Sequence, residues 1–295
     1  MKIKFSKNFK NLISKYILTY FGIYLVYSFL NWFLTKQTKF IHINEKYSNY
    51  WIPLILCFTI TYFVFRPLVS KTKFGKKAKE FSLWFLIPIS LGFPIAFSQN
   101  LFTNYDYKII NVEKVTDILK YPEEKYFKLK DFFVAKEKVF VINESHTIGK
   151  YGNELVVSNY ATTAMYNDST ESNKLAKVAY GIHFSTKISN RVFDSNQEKE
   201  IKKFDSTSYN DYQKYNFYKS QIFERQFDSD DAKYYNESWN RNYSSDKTIN
   251  PIVLERMDRS LAEINDSNKK TAFYSTIICF LLATILLTLF EIFKP

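Results

Sequence analysis

Charge disappears from this chain in four places. Positions 16–35, 50–65, 81–98 and 271–290 hold no Asp, Glu, Lys or Arg and are rich in Ile, Leu, Phe and Val. An apolar run of about twenty residues, rising ~1.5 Å per residue as a helix, matches the thickness of a bilayer's hydrocarbon core. The pattern therefore predicts four transmembrane helices. Over residues 99–270 polar and apolar positions alternate instead, as they do along half-buried strands. The fold class read from the pattern is an integral membrane α-helical protein of four transmembrane helices with an α+β extramembrane domain containing antiparallel strands.

Within that domain Tyr105 to Val115 and Phe132 to Ile148 read as strands. Gly149, Lys150, Tyr151, Gly152 and Asn153 form a turn before Glu154 to Tyr166, which makes a hairpin. From Lys177 to Lys187, Val178, Tyr180, Ile182 and Phe184 fall on one face of a strand. Ser195 followed by Glu198 has capping-box spacing and starts a helix with Ile201 and Phe204 on its apolar side. Residues 205–247, crowded with Tyr, Asn, Ser and Asp, receive no assignment. Asn250 and Pro251 read as another helix start. With Met257, Leu261 and Ile264 at helical spacing, that helix is expected to run into the last apolar run as one rod of roughly forty residues, ~60 Å long. Asn265 to Asn268 is its weak point.

Charge orients these elements. The 295 residues are formally +12, but residues 99–270 carry 26 basic and 26 acidic residues, whereas the rest carries 15 basic residues and three acids. The excess is thus a topology signal, and it argues against a nucleic-acid footprint. Residues 1–15, with five lysines and no acid, form a cytoplasmic N-terminus before a first span at 16–35. Residues 36–49 are an outer loop and 50–65 the second span. A cytoplasmic loop at 66–80 follows, with Arg66, Lys71, Lys73, Lys76, Lys77 and Lys79 against Glu80. Such a basic loop faces lipid headgroups on the inner side of the membrane. The third run, 81–98, contains Pro88, Gly92 and Pro94 and is expected to be kinked or re-entrant. If it crosses, 99–270 lies outside the cytoplasmic membrane, 271–290 returns as the fourth span and 291–295 is a cytoplasmic tail. Lys269 and Lys270 on the outer flank of the last span oppose this orientation, and the first two spans outweigh them.

Two side-chain patterns stand out inside the apolar runs. Tyr16, Tyr20, Tyr24, Tyr27 and Asn31 share one face of the first helix, as glue between helices or as the lining of a wet path. Ser275, Cys279 and Ala283, four apart, let another helix come close, within the chain or in a homo-oligomer. Cys57 and Cys279, the only cysteines, both sit in apolar runs and leave the polar domain without a disulfide framework.

Catalytic constellations do not emerge. His42, His146 and His183 have no metal-ligand spacing. Glu144, Ser145 and His146 alternate faces on a strand and cannot form a nucleophile–base pair. Asp228, Asp230 and Asp231 open like a calcium loop, but Lys233 and Trp239 stand where glycine and glutamate are required. The apolar runs contain neither histidine nor acid, which argues against an intramembrane protease or a proton-coupled pump. The reading is a non-enzymatic polytopic protein of the bacterial cytoplasmic (inner) membrane, with no cofactor and no metal. Its outer domain binds a protein partner, as a sensor, an immunity or accessory protein, or a subunit of a membrane complex. The alternative is a transport or pore-forming effector that uses the tyrosine face and the broken third run. Besides the lipid bilayer, the expected partner is a protein or a second copy, with no nucleic acid.

Overall fold

The structure, a computed structural model, describes residues 5–34, 47–105, 107–190, 194–227, 230–241 and 250–293. The chain divides into two compact units, Met1–Asp106 with Arg259–Pro295, and Tyr107–Asp258. The first is helical and the second is built on a sheet.

Four helices of the first unit are long and apolar enough to cross a membrane: α1 (Lys7–Trp32), α2 (Tyr47–Ser70), α3 (Lys76–Gln99) and the chain's last helix, Leu261–Ile292. Their exteriors carry Leu18, Leu25, Phe29, Ile55, Phe63, Trp84, Phe85, Leu281 and Ile285, all exposed. Their interior buries Ser28, Thr61, Ser82, Ser90, Ser98, Gln99 and Glu291 beside Leu12, Phe65, Ile87, Leu91 and Leu287. Apolar side chains outside and hydroxyls and amides inside invert the arrangement of a water-soluble bundle.

The third run, expected to be kinked or re-entrant, is helical along its whole length. Helix continues through Pro88, Gly92 and Pro94 to Tyr105, and the turn before Pro88 widens. Five-residue π turns occupy Tyr47–Trp51, Thr61–Phe65 and Ser82–Leu86, and Pro53, Pro67 and Pro88 each sit at the second position after one. Thr61 and Ser82 open two of these turns by donating their hydroxyls to the carbonyls of Cys57 and Ala78, both at 2.7 Å. Their own carbonyls then accept the long-range bonds from the N–H groups of Arg66 and Ile87. A wider turn relieves the clash of a proline ring with the carbonyl one turn back, so the helix carries the ring without ending.

The second unit is a seven-stranded mixed sheet in the order β1-β2-β6-β7-β5-β4-β3. Its strands are β1 (Ile109–Val112), β2 (Tyr126–Leu129), β3 (Phe133–Ile148), β4 (Glu154–Tyr166), β5 (Val178–Ser189), β6 (Ile222–Gln226) and β7 (Ile252–Arg256). The predicted hairpin is β3–β4, and β5 buries Val178, Tyr180 and Ile182 on the expected face, with Phe184 packed against them. The sheet is not wholly antiparallel: β1 runs parallel to β2, and β5 parallel to β7. The unassigned stretch holds the end of helix α4 (Asp194–Gln213), strand β6 and helix α5 (Asp230–Asn240). Tyr212 of α4 joins the core with Tyr180 and Phe223, while Tyr235 and Trp239 of α5 join the core with Ala179, so the two helices cover opposite faces.

The helix start at Asn250 and Pro251 is a correction. Ile252–Arg256 is β7, a strand held between β5 and β6. The last helix, α6 (Leu261–Ile292), begins later at a capping box: the Glu263 N–H donates to Ser260 Oγ at 3.2 Å, and the Ser260 N–H to Glu263 Oε2 at 2.8 Å. At 32 residues it is about 48 Å long, short of the predicted rod. Asn265 to Asn268 do not interrupt it, and Asp266 pairs with Lys270 at 2.7 Å.

Candidate functional site

The polar stripe of α1 faces the other helices of its unit. The Tyr16 hydroxyl donates to Ser90 Oγ at 2.9 Å, and that of Tyr20 to the Thr276 carbonyl at 2.8 Å. Tyr27 donates to the Ser48 carbonyl, and Asn31 Nδ2 to Gln99 Oε1, whose Nε2 reaches Ser28 Oγ. Tyr24 packs at the edge of the same core. Stacking of Phe280 on Tyr16, ring centroids 6.2 Å apart, closes the gap between α1 and α6. Hydroxyls engaged in bonds between helices act as glue.

On α6, Ala283 is fully buried, Cys279 is half-buried, and Ser275 folds its hydroxyl back to the Ala272 carbonyl at 3.0 Å. On α3, Gly92 packs tightly against α2: an added Cβ would stand 2.8 Å from Leu54 Cδ2 and 3.7 Å from Cys57 Cβ. In the basic loop, Arg66 donates to the Tyr62 hydroxyl at 2.7 Å and lies over its ring. Lys79 donates to the Ser70 carbonyl at 3.0 Å, and the Lys71 carbonyl accepts from Asn8. Lys73, Lys76 and Lys77 point outward among the exposed or half-buried residues of the turn.

In the sheet unit two features gather side chains. The first is the β3–β4 turn. Gly149, Tyr151 and Gly152 all take positive φ, at 86°, 69° and 64°. Glycine adopts this conformation without penalty and tyrosine does not. Tyr151 is nonetheless 89% exposed, and its ring meets Lys150 Nζ at 5.2 Å. The turn itself is pinned: Asn190 donates its side chain to the Gly152 carbonyl at 2.7 Å and its N–H to the Asn153 carbonyl at 2.9 Å. A rigid turn thus displays a strained, exposed aromatic ring. It caps β3, a strand of 16 residues with no described strand on its outer side. The bulge between Val134 and Val139 takes hydroxyls from Thr163 to the Ala135 carbonyl and from Tyr212 to that of Lys136, and Ser238 donates to the Phe140 carbonyl just past it. Beyond it the pairing with β4 is regular up to the turn.

The second feature lies beneath α5. Tyr160 donates to Asp231 Oδ1 at 2.7 Å, and His183 stacks on its ring at 4.4 Å and 3°. Beside them, Glu255 of β7 stands opposite Glu224 of β6. Burial, and then the nearby Glu224 and Asp231 carboxylates, raise the Glu255 carboxyl to about 7. Gln226 Nε2 donates to it at 2.9 Å, and Lys125 holds Glu224 at 3.1 Å. The Tyr235 hydroxyl is buried beside Glu255 without closing a hydrogen bond of normal geometry. Burial also pushes the Tyr160 hydroxyl up, so this phenol serves as a donor and not as a base.

Other motifs stay apart. Glu144, Ser145 and His146 pair in sequence with Ser158, Val157 and Val156 along β4 and so alternate faces. Asp228 and the side chain of Asp230 lie outside the described residues, as does His42. Among the described residues no three His, Cys, Asp or Glu side chains gather where they could hold a metal ion. Tyr151, Tyr160, Tyr235 and Glu255 escaped the sequence reading. Only the GKYG turn gave a local sign of one of them. Comparison with protein-family models, with curated proteins and with solved structures finds no match to this chain.

Proposed function

We propose that the chain is a non-enzymatic four-span protein of the bacterial cytoplasmic membrane whose sheet unit lies on the outer side and binds a protein partner. The inverted polarity of the helical unit supports the membrane reading. The observation that carries the binding reading is Tyr151. A tyrosine held at positive φ costs about 1 kcal/mol and makes no compensating buried contact within the described chain. Strain of this kind is retained where the displayed ring meets something else. Next to it the outer side of β3 offers backbone groups to an extended segment of a partner, which would add a strand to the sheet. Tyrosine on a preorganised turn provides contact area at low entropic cost.

The test is photocrosslinking in cells with a benzoyl-phenylalanine in place of Tyr151, and with Leu175, which is also exposed, as the control position. A discrete adduct at Tyr151 and none at Leu175 is the expected result. No adduct at Tyr151, or the same ladder at both positions, refutes partner binding at this turn. The side of the membrane is read separately, from a cysteine at Lys150 in a variant without Cys57 and Cys279. A membrane-impermeant thiol reagent should label it in intact cells, and labelling only after lysis would place the sheet unit inside.

A further inference from the structure

We infer that a groove between the basic turn and the end of α6 binds an anionic phospholipid, its phosphate on Lys76 and Lys77 and its chains along Leu289, Phe290 and Phe293. This rests on the membrane reading above and adds to it a ligand class and a place. The groove has a volume of about 560 Å³ and is lined by Gly75, Lys76, Lys77, Ala78 and those three apolar residues. That is within the roughly 300–1,000 Å³ typical of small-molecule sites.

Its floor is firm. Phe290 meets Phe74 edge-on at 5.9 Å and Phe81 at 6.2 Å. Its outer wall is apolar and uncovered, with Phe293 77% exposed. Both lysines at the mouth are exposed, and neither enters an ion pair among the described residues. The acid nearest this end of α6, Glu291, is 2% exposed and accepts from the Ser6 N–H at 3.2 Å, so it is turned away from them. Lys71 and Lys73 add charge of the same sign within the turn. Positive charge over an apolar trough suits a ligand with a phosphate at one end and a hydrocarbon chain at the other. A zwitterionic lipid satisfies only the trough, and free phosphate only the lysines.

Native mass spectrometry of the full chain in mild detergent, titrated with phosphatidylglycerol, phosphatidylcholine or inorganic phosphate, tests this. The wild-type protein should retain phosphatidylglycerol about tenfold better than phosphatidylcholine, and millimolar phosphate should not displace it. Lys76→Gln with Lys77→Gln should abolish that preference. Phe293→Ala should weaken retention of both lipids, while Lys269→Gln with Lys270→Gln changes nothing. All these side chains are exposed, and the remaining loop lysines keep the topology signal. Equal retention of the two lipids by wild type, or an undiminished preference in the Lys76/Lys77 variant, overturns the inference. Displacement by phosphate overturns the lipid assignment in favour of a plain anion site. Washed membranes from the same cells separate the two readings. A wild-type chain found in the soluble fraction refutes the membrane reading itself, whereas a membrane-bound chain without lipid preference refutes only the groove.

Discussion

Glu255 is the residue whose chemistry departs furthest from its ordinary behaviour in the sheet unit. Its carboxyl, raised from 4.5 to about 7, faces Glu224 on β6, Asp231 and Tyr235 on α5, and Asp258 just past β7. Between those two values the folded unit binds more protons than the unfolded chain. Stability therefore falls as pH rises from about 4.5 to 7 and levels off above it. The expected loss is of order 1–3 kcal/mol. Urea denaturation at pH 5 and pH 8 should show it, and Glu255→Gln should flatten the difference by raising stability at pH 8. An unchanged pH dependence in that variant would mean that Glu255 ionises normally. None of this was legible beforehand: Glu255 lies in a segment that reads locally as a helix start, and its two strongest carboxylate neighbours, Glu224 and Asp231, are 31 and 24 positions away on another strand and a helix. Tyr151 was visible as part of a turn, but its positive φ follows from the register that β3 and β4 adopt.

At the scale of elements, α2 and α3 show how proline-bearing helices stay continuous and still pack closely. The π turns absorb Pro53, Pro67 and Pro88, and Gly92 then brings α3 against Leu54 and Cys57. Gly92→Leu should force the pair apart and destabilise it by about 1–3 kcal/mol. Cys57, buried at this crossing, reports the change. Thiol labelling of the purified protein in detergent should accelerate in Gly92→Leu, and an unaltered rate would show that the helices tolerate the added side chain. Pro88, Gly92 and Pro94 read as a break because proline and glycine disfavour regular α-helix in isolation. The hydroxyl-assisted wide turns that rescue the helix depend on Thr61 and Ser82, whose part in them is recognisable only once the turns are seen. The Ser260 and Glu263 box, by contrast, was fully local. The Asn250 and Pro251 signal masked it, and pairing with β5 and β6 overrides that signal by burying Val253 and Leu254.

For the whole molecule, each unit closes its own core, which gives a direct test. Residues 107–258, expressed without the four long helices, should fold and unfold in one cooperative transition by circular dichroism in urea. Aggregation or a non-cooperative transition would mean that the sheet depends on the helical unit. The sequence by itself determined the four long apolar helices, the basic stretch at 66–80 where the second of them gives way to the third, the β3–β4 hairpin with its ends, and the buried face of β5. These follow from periodicity and charge within a few turns of chain. Only the tertiary structure decided that β1 and β2, and β5 and β7, run parallel, that residues 252–256 join the sheet, and that Tyr16, Tyr20, Tyr27 and Asn31 of α1 hydrogen-bond to the other helices. It also decided that, among the described strands, β3 is left as an edge with Tyr151 at its end. Each of these depends on which distant segment supplies the partner for a buried donor, acceptor or strand edge, and a local pattern carries no information about that choice.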